Sequence, residues 1–362
     1  MADRPATRDH VGIAGVGTYI PSTFMDAAEL AERTGIPETV VVEKLGLRKK
    51  PVPGPDDHTN AMALWAARDA LADASIEPSE IDLILCTTEE WKEHPLWTAG
   101  IQLAHELGAH RAWAIDVQMR CATTMATLKI AKSMMLSDPD LDTVLIAGGY
   151  RNGDHVDYEN ANARFLFGLA AGGGAIVLRR NLGRNELLES SVLVDGAFSL
   201  DIIIPAGGTK EPLTAEARAA GRDRFDCPDP QGLKERLDPV SMGNFLRVVD
   251  EALGKSGHER SDVGYLNILH MKPSAHRYVL SELGMSEEQS CYLADYGHIG
   301  QQDQAVSMKL GLESGRLRDG LLMVMVAAGI GYAWSASVVR WGPVTATSLA
   351  SKTLGGDPNV RQ

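Results

Sequence analysis

One cysteine and two histidines in this chain each follow a short apolar stretch that has the composition of a buried strand. Cys121 comes after residues 113–117, His270 after residues 263–269, and His298 shortly after residues 290–295. In sheets of parallel strands, reactive groups collect at the carboxyl ends of the strands. A histidine near a thiol can take its proton and later return it. The pattern therefore predicts a nucleophilic cysteine with histidine partners, against the alternative of a buried structural cysteine and two structural histidines.

The residues after Cys121 favour a helix that begins almost at the thiol. Apolar side chains recur at helical spacing between Ala122 and Met135. The first turn of a helix presents unpaired N–H groups and the positive end of the helix dipole, which favour a thiolate over a thiol. The thiolate is the nucleophilic form of cysteine, so this position suits covalent catalysis.

Length, charge and cysteine spacing exclude several classes of protein. The chain has 362 residues, and its 35 basic against 48 acidic residues give a net charge of −13. The length predicts about two domain-sized units, and the acidic balance argues against nucleic acid binding. Four widely spaced cysteines without a CxxC pair argue for a reducing compartment and against a zinc site. No long uncharged apolar run is present, so we expect a cytoplasmic protein that does not span a membrane.

Strand-like and helix-like segments alternate twice along the chain, which is typical of an α/β fold with a mostly parallel sheet. We predict a first half over residues 1–180 that carries the cysteine, and a linker or excursion over 181–240. A second half over 241–345 would carry both histidines, and 346–362 would form a loose tail.

Several ordered motifs together resemble the thiolase superfamily, and most closely ketoacyl-ACP synthase III and its relatives. The resemblance covers nearly the whole chain, and it implies a five-layered αβαβα fold of two similar halves and a homodimer. The matching stretches are the opening strand at 11–21, the segment from Thr34 to Arg48, the strand end at 85–88, the nucleophile turn at 116–128, Phe167-Gly168, His270, Tyr296-Gly297-His298 and the closing stretch 329–341.

The resemblance assigns roles to individual residues. Cys121 would attack an acyl thioester to give an acyl-enzyme, and the backbone N–H groups of Cys121 and Ile330 would form the oxyanion hole. His270 would act as a base or hydrogen-bond donor. The third place, usually Asn in this family, is occupied here by His298. An imidazole at that place is compatible with decarboxylative condensation, but it can also act as a base for another acceptor, which Asn cannot do.

A glutamate is a second candidate for the acid-base chemistry. Relatives that condense without decarboxylation, such as HMG-CoA synthase, use a glutamate from about this region. Glu93 is the first candidate for a general base and Glu89 the second, against the alternative of an acidic solvated loop.

The carrier of the acyl group would bind at the entrance to the site. Lys44 and Arg48 are weak candidates for contacts with the phosphates of coenzyme A or phosphopantetheine. The basic triplet 48–50 is otherwise expected to be a solvated turn.

These observations predict an acyltransferase that takes an acyl group from acyl-CoA or an acyl carrier protein and passes it to a second substrate. Claisen-type carbon–carbon condensation is the leading interpretation. Transfer to an oxygen or nitrogen nucleophile and a condensation of the HMG-CoA synthase kind are alternatives, as is a non-catalytic partner subunit of a condensing complex. We expect no metal and no redox cofactor, since coenzyme A or phosphopantetheine would serve only as the substrate carrier.

Overall fold

The computed structural model describes residues 9–344. Eleven strands lie in this part of the chain. They are β1 Val11–Tyr19, β2 Thr23–Asp26, β3 Lys49–Val52, β4 Leu83–Cys86, β5 Trp113–Asp116, β6 Thr143–Tyr150, β7 Gly172–Arg180, β8 Arg184–Val194, β9 Val263–Ile268, β10 Leu322–Gly329 and β11 Ala333–Pro343.

The helices alternate with these strands. They are α1 Ala27–Thr34, α2 Glu38–Val40, α3 Thr59–Ala74, α4 Ala99–Leu107, α5 Thr123–Ser137, α6 Ala215–Ala219, α7 Pro230–Leu237, α8 Ser241–Ser256, α9 Pro273–Glu282 and α10 Asp303–Glu313. No helix in the described range has both the length and the apolar character required to cross a bilayer.

Nine strands form one continuous sheet, which divides into two half-sheets at a junction of a single bridge. The first half-sheet has the order β5-β4-β6-β7-β1 and the second has the order β8-β11-β10-β9. A single bridge, Gly12 to Glu186, joins β1 to β8. Strands β5, β4 and β6 run parallel, as do β9 and β10, so their carboxyl ends present side chains along one edge of each half-sheet.

Helices cover both half-sheets and fill the space between them. Helices α3 and α4 pack on the outer face of the first half-sheet, and α8 packs on the outer face of the second. Helix α5 contacts strands of both half-sheets, and so does α10, so the two helices form a central layer. The predicted α/β fold with two similar halves in five layers is confirmed.

Glycines in β1 explain how closely α3 approaches the first half-sheet. A side chain at Gly15 would collide with the backbone of Ala70, and one at Gly17 with the backbone of Ala66. The glycine-rich opening strand and the alanine-rich helix are therefore complementary surfaces that pack closely.

The structure corrects the boundaries predicted from the sequence. Residues 184–194 form β8, which pairs with β11, so the second half begins well before residue 241. The strand expected at 290–295 is absent: Ser290 makes one bridge to Leu266. The carbonyl of Ala294 instead accepts the backbone N–H groups of residues 48 and 49, so this segment pairs outside the sheet. The tail predicted at 346–362 lies outside the described residues.

Candidate active site

Cys121 lies in a short helical turn, Arg120–Ala122, that leads directly into α5. The turn is tightly bent, because Arg120 adopts a left-handed backbone conformation with φ of 51°. The hydroxyl of Thr123 holds the bend, since it accepts the backbone N–H of Met119 at 2.7 Å and donates to the carbonyl of Arg120 at 2.5 Å. This turn places the buried thiol at the start of the helix, as the sequence predicts.

His298 is the residue that contacts the thiol. Its Nε2 lies 2.9 Å from Sγ of Cys121, and its Nδ1 lies 2.6 Å from Oδ2 of Asp303. Asp303 is fully buried and is the first residue of α10. The three side chains form a line from carboxylate to imidazole to thiol, which is the arrangement of a nucleophile, its base and the group that orients the base.

The charges along this line set the protonation of His298. Burial opposes a charged imidazole, but the charges of Cys121 and Asp303 outweigh it and raise the pKa of His298 well above its ordinary value. The 2.9 Å contact with sulfur lets the imidazole exchange a proton with the nucleophile, as in a nucleophile–base pair. The geometry therefore provides an activated nucleophile.

His270 lies nearby but makes a different set of contacts. Its backbone N–H donates to Asp303 at 2.8 Å, and its Nε2 faces the carbonyl of Gly46 at 3.3 Å. Within the described residues it makes no hydrogen bond to Cys121. Burial is the main cause that lowers the pKa of His270 to about 4, so its imidazole is neutral at pH 7. Of the two histidines, His298 is thus the one that contacts the thiol.

The turn that contains Ile330 packs directly on the nucleophile. A side chain at Gly329 would lie 3.1 Å from the backbone nitrogen of Cys121 and 2.8 Å from the carbonyl of Met119. The glycine therefore allows the end of β10 to approach the backbone of the nucleophile turn. This close approach is what an oxyanion hole built from the N–H groups of Cys121 and Ile330 requires, and the role of the two groups stays a prediction.

Glu89 is buried beside the residue that precedes the nucleophile. Its side chain is 3% exposed, and Oε2 accepts the amide of Asn152 at 2.6 Å and lies 3.4 Å from the guanidinium of Arg120. Its other oxygen has no hydrogen-bond partner in the described residues. Burial raises the pKa of Glu89 despite the attraction of Arg120, so this carboxyl tends to hold a proton.

Glu93, the first candidate from the sequence, has a structural contact instead. Its Oε1 accepts the backbone N–H groups of Asn60 at 2.8 Å and Ala61 at 3.3 Å. These groups belong to the first turn of α3, where N–H groups lack partners within the helix. Of the two glutamates, Glu89 lies beside the nucleophile turn, so the geometry favours Glu89, and the choice of a general base stays a prediction.

The basic residues near the predicted carrier entrance divide into three cases. Lys44 is exposed in a helical turn, Val41–Leu45, and is free to meet a phosphate. Arg48 is exposed but forms a double hydrogen bond with Asp295. Lys50 is only 1% exposed, so the expectation of a solvated triplet was wrong for this residue.

Within the described residues, no cluster of three or more histidine, cysteine, aspartate or glutamate side chains could hold a metal ion. Asp303 and Lys50 are the site residues that sequence reasoning missed. Asp303 is the first residue of α10, five positions after His298. The sequence does not show that the turn between them brings the carboxylate onto the imidazole.

Two family models match this chain. Residues 115–196 match "3-Oxoacyl-[acyl-carrier-protein (ACP)] synthase III", and residues 253–341 match the C-terminal model of the same family. The first match contains Cys121, and the second contains both His270 and His298.

Relatives of known name match over almost the whole chain. A beta-ketoacyl-[acyl-carrier-protein] synthase III from Symbiobacterium thermophilum is 29% identical over 342 residues, which is 92% of this chain and 98% of the relative. A 3-oxopimeloyl-[acyl-carrier-protein] synthase from Rhodothermus marinus is 29% identical over 341 residues, covering 93% of this chain and 95% of the relative.

Solved structures share the fold. The 3-oxoacyl-(acyl carrier protein) synthase III of Pseudomonas aeruginosa PAO1 has a TM-score of 0.80 at 21% identity, with 93% of this chain and 99% of that chain covered. Xanthomonas campestris OleA, solved with bound lauric acid and lauroyl-CoA, has a TM-score of 0.76 at 17% identity and covers 92% of this chain and 99% of its own. The resemblance seen in the sequence is confirmed: two segments of this chain match the models of 3-oxoacyl-[acyl-carrier-protein] synthase III, and over almost its whole length the chain is similar to proteins of that name.

Proposed function

We propose that this protein is a condensing enzyme that carries an acyl group on Cys121 and joins it to a second acyl thioester by a Claisen-type reaction. The observation that carries the proposal is the 2.9 Å contact between the thiol of Cys121 and Nε2 of His298. It supplies a nucleophile and its base in one pair, at the position that the matched family model covers. The names of the relatives, all ketoacyl synthases, support the same reaction class.

The contacts of the site support a first half-reaction in which Cys121, His298 and His270 each have a role. The thiolate of Cys121 attacks the thioester carbonyl, and the oxygen that becomes negative lies between the N–H groups of Cys121 and Ile330. The departing carrier thiolate takes its proton from the imidazolium of His298. The imidazole of His270, which is neutral at pH 7, can form a hydrogen bond in the site without adding a charge to it.

The proposed carrier is coenzyme A or the phosphopantetheine of an acyl carrier protein, with no resident metal or redox cofactor. Lys44 supports phosphate binding through its exposure, whereas Arg48 would have to exchange its partner Asp295 for a phosphate. Between coenzyme A and a carrier protein, the names of the relatives favour a carrier protein for at least one substrate.

Three alternatives predict different chemistry from the same fold. Transfer to an oxygen or nitrogen nucleophile would use His298 as the base. A condensation of the HMG-CoA synthase kind is favoured by the burial of Glu89 beside Arg120. A non-catalytic partner subunit is disfavoured, because a silent site has no use for the contact between Cys121 and His298.

A homodimer is part of the proposal, and strand β5 is its proposed contact. This strand is at the edge of the first half-sheet, and among the described residues it pairs with β4 alone. Trp113 and Ile115 on β5 are 47% and 39% exposed. An unpaired edge with exposed apolar side chains is a template for pairing with a second copy. Sedimentation of wild type and Ile115→Lys tests it: the variant is expected to sediment as a monomer.

Intact-protein mass spectrometry tests the proposed function. Wild type and Cys121→Ala are each incubated with a panel of acyl-CoA and acyl-carrier substrates of different chain length. A mass increase of one acyl group that is absent from the variant is the expected result. If no donor modifies wild type, the acyl-enzyme proposal fails and the partner-subunit alternative takes its place.

A further inference from the structure

The contact between His298 and Asp303 fixes which ring nitrogen carries the proton. Oδ2 of Asp303 accepts Nδ1 of His298 at 2.6 Å and the backbone N–H of His270 at 2.8 Å, and Oδ1 accepts the backbone N–H of Ile299 at 2.7 Å. Both oxygens are thus occupied by donors, so Nδ1 of His298 must donate. The ring cannot turn over without breaking this bond or the contact with Cys121, so Nε2 always faces the reacting atoms.

This tautomer determines what His298 can do after the first half-reaction. Transfer of the acyl group to Cys121 forms one carbon–sulfur bond and breaks another, and the released carrier thiolate removes the Nε2 proton of His298. The imidazole that remains is neutral, with its proton on Nδ1 and a bare lone pair on Nε2. At that stage His298 can accept a proton but cannot donate one.

From this geometry we infer that the acceptor of the acyl group reacts by giving up a proton to Nε2 of His298, and not by losing carbon dioxide. The inference rests on the proposed acyl-enzyme at Cys121, and it narrows the second substrate to a molecule that carries the proton it must lose. For the proposed Claisen reaction, that molecule is an acyl thioester whose α-carbon carries a hydrogen and no carboxylate. Both routes pass through an enolate that needs hydrogen-bond donors. Proton abstraction leaves the proton on Nε2 of His298, which can then donate to the enolate, whereas decarboxylation leaves Nε2 bare at the place where the usual Asn amide donates.

The proton balance closes for this acceptor. The acceptor proton moves to Nε2, the acceptor carbon bonds to the acyl carbon, and the bond from that carbon to the sulfur of Cys121 breaks. The products are the condensed thioester, the thiolate of Cys121 and the imidazolium of His298, which is the starting state of the site. With a malonyl acceptor, a carbon–carbon bond breaks in place of the proton transfer, and His298 must recover its proton from water before the next cycle.

Two other titratable groups near the nucleophile turn face other partners. The buried carboxyl of Glu89 binds Asn152 and Arg120 through Oε2, and among the described residues it makes no hydrogen bond to the thiol. His270 directs its Nε2 to the carbonyl of Gly46 and makes no contact with the thiol among the described residues. His298 is therefore the base that directly faces the acyl group.

Two measurements test the inference on the intact protein. In the first, histidine is isotope-labelled and the protonation of Nε2 of His298 is read by NMR after Cys121 has been acylated, or alkylated with iodoacetamide as a stable substitute. The spectrum of His298→Asn assigns the signal. A bare Nε2 with a protonated Nδ1 is expected, and an Nε2–H in the acylated protein would overturn the inference whatever the acceptor is.

In the second, the acyl-enzyme receives either α-deuterated acyl-CoA or malonyl-CoA labelled in its free carboxylate. Wild type is expected to consume the deuterated thioester with loss of deuterium. In His298→Asn the ratio of this rate to the malonyl rate is expected to fall by about 100-fold or more, the usual contribution of a general base. Asp303→Asn should lower the same ratio, because an amide lets Nδ1 accept and puts the proton on Nε2. His258→Asn is the matched control and should keep the ratio, because the Nδ1 of His258 also contacts a carboxylate, that of Asp262 at 3.0 Å, but precedes β9 at the end of the strand opposite His270.

The outcomes separate this inference from the proposed function. Failure to acylate Cys121 would refute the proposed function itself. An acyl-enzyme that releases labelled carbon dioxide and ignores the deuterated thioester would refute the inference alone. Transfer to an alcohol or amine through His298 would support proton acceptance by His298 and refute carbon–carbon bond formation.

Discussion

Replacing Lys50 by methionine should both destabilise the protein and slow acylation of Cys121. The Nζ of Lys50 donates to the carbonyls of Phe167 and Leu169, each at 2.7 Å, and to the hydroxyl of Tyr158 at 2.8 Å. The side chain is fully buried, so Lys50→Met leaves two buried carbonyls without a donor. At about 1–3 kcal/mol for each orphaned group, the free energy of unfolding should fall by about 2–6 kcal/mol.

The segment that Lys50 holds also positions His298. Gly168, between the two carbonyls that Lys50 binds, accepts the backbone N–H of His298 at 2.8 Å, and Ala170 donates to the carbonyl of His298 at 2.9 Å. Loss of the lysine should let this segment shift and move the imidazole away from the thiol. A displacement of about 1 Å in a catalytic group can cost about 100-fold in rate, so acylation should slow by up to that factor.

Lys49→Met is the matched control, since the same substitution is made one position earlier on the opposite face of β3. Lys49 is exposed, and its ammonium lies 4.3 Å from the ring centroid of Phe24, a contact worth about 0.5–1 kcal/mol. Urea unfolding and single-turnover acylation by mass spectrometry measure both effects. If Lys50→Met does not fold, the milder Lys50→Gln replaces it. Equal unfolding free energies and acylation rates for the variants at positions 49 and 50 would refute the reasoning.

Two other contacts give predictions of different kinds. Glu93→Ala should lower the free energy of unfolding by about 1 kcal/mol, as loss of a helix cap does, and leave the rate of condensation after acylation of Cys121 unchanged; a large loss of condensation at a normal acylation rate would support Glu93 as a base. Burial is the main cause that lowers the pKa of His276 to about 4, below the 6.5 expected when the chain is unfolded. The unfolded chain therefore binds the extra proton first, and stability should fall by about 3 kcal/mol as the pH drops from 6.5 to 4. His276→Gln should remove that contribution in urea unfolding at the two pH values, and an unchanged pH dependence would contradict it.

The proximity of Cys121, His270 and His298 could be predicted because it depends only on the direction in which the preceding chain segments run. Parallel strands end at the same edge of a sheet, so residues that follow them converge wherever the strands are correctly recognised. His298 lies beside the thiol even though the strand assigned before it is absent, and its catalytic role stays a prediction. The preceding segment still enters the same edge, through the bridge between Leu169 and His298.

Asp303, Glu89 and Lys50 could not be placed from the sequence, because their positions depend on contacts between distant segments. The approach of Glu89 to Arg120 is set by the path of an irregular loop. Lys50 is buried although its two neighbours in the chain are a lysine and a proline, since its acceptors come from residues 158–169. A lysine is expected to be exposed unless buried acceptors are known to surround it. The acceptors of Lys50 lie more than one hundred positions away in the sequence.

His298 and Asp303 are best understood as one functional unit, since Nδ1 of His298 lies 2.6 Å from Oδ2 of Asp303. A histidine placed at the usual Asn position without the carboxylate could carry its proton on either nitrogen, and as the Nε2–H tautomer it would act as the Asn amide does, as a donor. The buried carboxylate removes that option, because its oxygens accept Nδ1 and two backbone N–H groups. In the free enzyme, Cys121 and Asp303 raise the pKa of His298 and favour its cationic form. Burial lowers the pKa of His270, which is neutral at pH 7, and raises the pKa of Glu89. When neighbouring titratable groups have pKa values shifted in different directions, one can act as the acid and another as the base in the same site. Changing His298 alone should therefore change the reaction that the site performs, whereas changing Asp303 alone should change the proton that His298 can offer.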